Sequence, residues 1–101
     1  MTNAHMILTS MGYRKLNKNK YIKPVGYNVF TFNLDTSEFL NIFKGANSKI
    51  HIYNGEKYEE TAGVEDDFLQ FIKQNETYSK LVHTNSNFEF LTREEQINFL
   101  L

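Results

Sequence analysis

Gly26-Tyr27-Asn28-Val29-Phe30-Thr31-Phe32-Asn33-Leu34 is the stretch on which the fold turns. Asn28, Phe30, Phe32 and Leu34 alternate with Tyr27, Val29, Thr31 and Asn33. A period of two in aromatic and β-branched residues marks a strand, because successive side chains of extended backbone point to opposite faces. The Phe30, Phe32 and Leu34 face is predicted to meet a core, and Tyr27, Val29 and Thr31 to form a half-polar second face.

Working toward the N-terminus, Pro24 belongs at a strand edge or turn, since it has no N–H to give a ladder. Before it, residues 13–23 read as a hairpin. Tyr13-Arg14-Lys15-Leu16 and Tyr21-Ile22-Lys23 flank Asn17-Lys18-Asn19-Lys20, and asparagine tolerates the left-handed backbone of a turn. Residues 2–11 are predicted as a short helix, with Thr2 as N-cap and Gly12 as stop.

Toward the C-terminus, residues 35–44 read as a helix. Asp35 with Glu38 resembles a capping box, Phe39, Leu40 and Phe43 share a face, Lys44 suits the C-terminal dipole, and Gly45 ends it. Residues 49–60 read as a hairpin turning at Asn54-Gly55, the strongest two-residue hairpin signal, with a polar return strand. A third helix is predicted over 64–74, opened by Glu65, Asp66 and Asp67 and carrying Val64, Phe68, Leu69, Phe71 and Ile72. Residues 78–83 suit helix or strand. Residues 88–91 read as a short strand, and 92–101 as a last helix with Thr92 and Glu95 as capping box. The expected core is Phe30, Phe32, Phe39, Phe43, Ile50, Ile52, Phe68, Ile72, Phe88 and Phe90.

This order, without a βαβ rhythm, predicts an α+β fold: one domain over 1–101, with an antiparallel sheet of about four to five strands built from hairpins and packed against three to four short helices. The length of 101 residues suits one core. Cysteine is absent, which removes disulfides, thiolate metal sites and thiol catalysis. No run of about 18 apolar residues and no basic-then-apolar leader occurs, so the expectation is a cytoplasmic protein with no membrane segment.

Motifs for chemistry are scarce. His5, His51 and His83 lack the i+3 or i+4 companions of a helical metal pair, so no metal site is expected. There is no G-x-S-x-G and no phosphate-binding glycine loop. The acidic pairs Glu59-Glu60 and Asp66-Asp67 read as a solvated strand end and a helix start, since acid–base catalysis needs neighbours of divergent pKa. Neither catalytic residue nor cofactor is expected.

Charge is placed unevenly. Residues 1–50 carry seven basic groups against two acidic ones, and residues 51–101 four against ten. Two surfaces follow. One is acidic and tyrosine-bearing: Tyr53, Glu56, Tyr58, Glu59 and Glu60, with Glu65, Asp66 and Asp67 beside them. Such a face meets a basic protein surface by charge complementarity. The other is basic: Tyr13, Arg14, Lys15, Lys18, Lys20 and Tyr21, where cations would meet phosphates and rings would stack on bases. A sequence pI near 6.3 is low for a dedicated nucleic-acid binder. The leading expectation is therefore a non-enzymatic binding protein, a regulator or inhibitor acting through protein–protein contact, with a second copy of the chain among the candidate partners. The alternative is a nucleic-acid or nucleotide binder using segment 13–27. In style the chain is similar to phage and mobile-element accessory proteins and to small bacterial immunity proteins.

Overall fold

The computed structural model describes residues 3–45, 50–59, 65–85 and 90–91. Helix α1 (Ala4–Ser10) leads into strands β1 (Arg14–Lys15), β2 (Lys20–Val25), β3 (Asn28–Asn33), β4 (Glu38–Lys44) and β5 (Ile50–Lys57), followed by helix α2 (Glu65–Asn85) and strand β6 (Phe90–Leu91). The strands form one antiparallel sheet in the order β1-β2-β3-β4-β5-β6, in which β2 to β5 are long and the two flanking strands have two residues each. The α+β architecture is as the sequence predicts. The three to four helices are not: the described residues hold two. The last helix expected at 92–101, together with Thr2 and Phe88, lies outside the described residues.

The N-terminal half follows its sequence closely. Gly12 sits after α1 at φ +94, a conformation glycine adopts without cost. Asn17 Oδ1 accepts from the backbone N–H of Asn19 and Lys20 at 3.1 and 3.0 Å, which folds the β1–β2 turn. Pro24 pairs with Val29 beyond the last residue that β1 reaches, so its missing N–H breaks no ladder on that side.

The helix expected over 35–44 is instead strand β4, a correction with a local cause. Asn33 Oδ1 accepts from the N–H of Asp35 at 2.8 Å and of Thr36 at 3.3 Å, so the supposed helix start is an asparagine-capped turn. Ser37 at φ 56 then redirects the chain into extended backbone. Phe39, Leu40, Ile42 and Phe43 mimic a helical stripe because β4 carries apolar residues on both of its faces; Phe39 and Asn41 are buried on one and Ile42 on the other.

The hairpin expected at Asn54-Gly55 is also corrected: both residues lie inside β5. The register steps from Glu38↔Lys57 to Leu40↔Asn54, which places an extra residue on β5 at a bulge. An ideal Cβ on Gly55 would stand 2.5 Å from the Phe39 carbonyl oxygen. The glycine serves close approach of two backbones, not a turn.

One face of the sheet holds Tyr21, Phe30, Phe32 and Phe39, against which α1 places Ala4 and Leu8, and α2 places Phe68 and Ile72. Phe32 meets Phe68 edge-on at 5.1 Å between ring centres. Of the expected core, Phe30, Phe32, Phe39, Ile50, Phe68 and Ile72 are buried, while Phe43 and Ile52 are half-buried. Each buried aromatic ring removes on the order of 150–250 Å² from water, so these few residues dominate the interior.

Candidate functional site

Helix α2 is about twice as long as its apolar stripe predicts, and the reason also builds the site. Its inward positions are Phe68, Ile72, Asn75, Ser79 and His83, all buried. The spacing stays helical while the residue type changes from apolar to polar after Ile72. The sheet changes in the same direction. Asn41 Nδ2 donates to Ser79 Oγ and to Asn28 Oδ1, each at 2.9 Å, and His83 Nε2 donates to the Asn41 carbonyl at 3.1 Å. Buried polar groups are tolerated where they meet hydrogen-bond partners, and this layer holds the second half of α2 on β4.

The same layer gathers rings. His83 stacks on Phe43 at 5.4 Å, and His51 approaches His83 edge-on at 6.2 Å. Two histidines far apart in sequence thus become neighbours, yet among the described residues no cluster of three or more histidine, cysteine or carboxylate groups suits a metal. Burial, and secondarily the neighbouring His51, hold the His83 imidazolium form below the ordinary histidine range, against the opposing pull of the Asn41 carbonyl.

Outside this layer, β5 and α2 diverge around a recess of about 340 Å³, lined among the described residues by Tyr53, Glu56, Gln74, Asn75 and Tyr78. Tyr53 and Tyr78 meet edge-to-face at 5.8 Å. Asn75 Nδ2 is anchored to the Phe71 carbonyl at 2.9 Å, and its Oδ1 faces the bare Cα of Gly55. Burial first, then Tyr78 and Glu56, push the Tyr53 phenol up from its ordinary value. Next to the recess, α2 presents Lys73, Gln74, Thr77, Tyr78 and Leu81 as a shallow surface. Tyr78 is 57% and Leu81 58% exposed; Met6, Leu16, Val25 and Tyr27 are also exposed, but Tyr78 and Leu81 stand one helical turn apart on one surface beside the recess.

The acidic-face residues are distributed unevenly about this recess. Tyr53 and Glu56 line it. Glu59 and Asp67 are exposed at the end of β5 and the start of α2. Tyr58 instead packs against Phe68 and Phe71 at 5.2 and 5.3 Å, supporting the core. Glu65 and Asp66 fall in the first turn of α2, described by backbone alone, and Glu60 lies outside the described residues. Sequence reasoning missed Gln74, Asn75, Tyr78 and Leu81. Their signal was the polar continuation of the 68, 72, 75, 79, 83 spacing.

The basic segment is arranged differently from its expectation. Arg14, Lys15 and Lys18 are exposed and Lys20 is half-buried. Tyr13 and Tyr21 are core residues, 3% and 1% exposed, with no ring face left for a base. Tyr13 OH donates to Glu76 Oε2 at 2.5 Å, and the Tyr21 hydroxyl meets His5 Nδ1 at the same distance. Lys23, the fifth cation of the segment, is paired with Glu76 at 2.8 Å and donates to the Met11 carbonyl at 3.1 Å. Among the described residues no helix is long and apolar enough to cross a membrane. Comparison of the chain with protein-family models, with curated proteins and with solved structures finds no match.

Proposed function

We propose that this chain is a non-enzymatic binding protein, a regulator or inhibitor that works by covering part of a partner protein. The contact surface is the β5–α2 side, with Tyr53, Glu56, Gln74, Tyr78 and Leu81 at its centre and the carboxylates Glu59 and Asp67 at its edge. The observation that carries this reading is the exposed Tyr78–Leu81 pair beside a recess walled by a second tyrosine. Tyrosine is enriched at interface centres, where an apolar middle is bounded by a polar rim. No catalytic role is assigned: the two histidines are buried, His83 tying α2 to the Asn41 carbonyl and His51 meeting its ring edge-on.

The test is capture from extract of the source cells with tagged protein, run in parallel with and without nuclease, followed by binding of the identified partner in purified form. Tyr78→Ala with Leu81→Glu is expected to weaken that purified complex at least about tenfold, the scale of one hot-spot truncation. Lys15→Glu with Lys18→Glu is expected to leave it within about twofold. The opposite pattern, or a catch lost to nuclease, would replace this reading with the nucleic-acid one.

A further inference from the structure

The recess between β5 and α2 has a lopsided chemistry. Among the described residues that line it, Glu56 is the one ionised side chain, and no cation is present. The remaining lining is two phenol rings and two amides, of Gln74 and Asn75. Tyr53 and Tyr78 stand edge-to-face at 69°, so they form two walls of a corner instead of filling the space with a parallel stack. At the floor, Gly55 contributes no side chain, and Asn75 Oδ1 lies 3.2 Å from where a Cβ would be. Because one N–H of Asn75 Nδ2 donates to the Phe71 carbonyl, the amide is oriented with its oxygen toward Gly55.

Each class of occupant can be weighed against this lining. An anion would meet the Glu56 carboxylate and the negative faces of two rings. An aliphatic group would strip water from a carboxylate and two amides without replacing their hydrogen bonds. A cation gains from every wall: the carboxylate pairs with it, the ring faces attract it, and the amide oxygens accept from it. Between the two biological cations, the flat guanidinium fits better. It can lie on one ring while its edge forms paired hydrogen bonds to a carboxylate, which a compact ammonium cannot do.

We propose that this recess binds an arginine side chain of the partner protein, with Glu56 as its counter-ion, Tyr53 and Tyr78 as its stacking walls, and Leu81 receiving the apolar neighbour of that arginine. This inference rests on the protein-binding reading above and adds the identity of the anchoring group.

The experiment follows backbone amide shifts of the ¹⁵N-labelled full chain titrated with four probes: the Nα-acetyl amides of arginine, lysine, citrulline and glutamate. The arginine probe is expected to shift the amides of Glu56, Gln74, Asn75 and Tyr78, with a dissociation constant on the order of 1 mM for so small a ligand. Citrulline, which has nearly the same shape without the charge, and glutamate are expected to shift none of them, and lysine to bind more weakly than arginine. Glu56→Gln, an exposed substitution that leaves the core untouched, is expected to weaken the arginine probe about tenfold or more.

Equal binding of citrulline and arginine would overturn the proposal, as would arginine shifts that spare these amides or survive Glu56→Gln undiminished. If the probes fail while Tyr78→Ala with Leu81→Glu still releases the purified partner, the cation site is wrong and the protein-binding surface stands. If arginine binds while that double variant leaves the partner bound, the recess is a cation site on a protein whose partner docks elsewhere.

Discussion

Gly55→Ala separates the two meanings of the Asn54-Gly55 pair by the sign of a stability change. In extended backbone with open space, alanine would stabilise by about 0.5–1 kcal/mol, because it restricts the unfolded chain more than glycine does. Here the added carbon would stand 2.5 Å from the Phe39 carbonyl oxygen, where an ordinary carbon–oxygen contact begins near ~3.3 Å. Strands β4 and β5 would have to part by about 0.8 Å at the bulge, and the obstacle is backbone, which cannot swing aside as a flexible side chain can. The Phe39 ring and Asn75 Oδ1, each at 3.2 Å, crowd the same carbon. Forced overpacking costs about 1–3 kcal/mol. With backbone as the obstacle the upper half of that range applies, about 2–3 kcal/mol, and set against the alanine gain the net expectation is a destabilisation of about 1–2.5 kcal/mol, or roughly 4–20 °C in Tm for a chain of this size. Urea unfolding followed by far-ultraviolet circular dichroism reads it as a lower midpoint at unchanged slope. A midpoint equal to or above that of the parent chain would refute the close approach and the bulge that creates it.

Three further outcomes follow from the interior. Phe32→Ala removes a fully buried ring stacked edge-on against Phe68, and is expected to cost about 3–5 kcal/mol in the same urea assay, enough to leave much of the chain unfolded at 37 °C. Glu76→Gln deletes the charge that holds Lys23 and accepts from Tyr13, and with both ionic side chains under one-fifth exposed it is expected to cost about 1–3 kcal/mol; a variant as stable as the parent would show that the link between α2 and the β2 side is inert. Because His83 takes a proton less readily folded than unfolded, its contribution to stability is intact above the ordinary histidine value near ~6.5 and is lost as pH falls through that value toward the lowered folded one. Stability is therefore expected to fall as pH drops below about 6.5, by up to ~1.4 kcal/mol per pH unit, and His83→Gln to make that fall shallower; the neighbours Tyr53, Phe43 and Asn41 carry no carboxylate, and His51 adds like charge.

Legibility in the sequence followed the independence of each signal from tertiary context. Strand β3 and the β1–β2 turn were readable because period-two alternation and side-chain capping act locally. Strand β4 was misread because burial on both faces erases alternation, and because Asp35 and Glu38 mimic a helix start that Asn33 had already claimed as a turn. Asn54-Gly55 was misread because the same glycine answers two needs, positive φ and close backbone approach, and only the packing of Phe39 reveals which. Half of the candidate site was visible in Tyr53 and Glu56. The other half sits on the part of α2 whose buried stripe is Asn75, Ser79 and His83, where hydrophobic periodicity has nothing to detect. Tyr13 and Tyr21, spaced as stacking rings, serve the core because α1 and Glu76 close over them.

The central claim is that partner contact is made by the β5–α2 side, and amide hydrogen exchange on the free chain and on its complex with the purified partner tests it most directly. The account predicts slowed exchange over residues 53–56 and 74–81 in the complex, with residues 14–20 of the basic hairpin unchanged. Slowed exchange over 14–20 with 74–81 unaltered would contradict it.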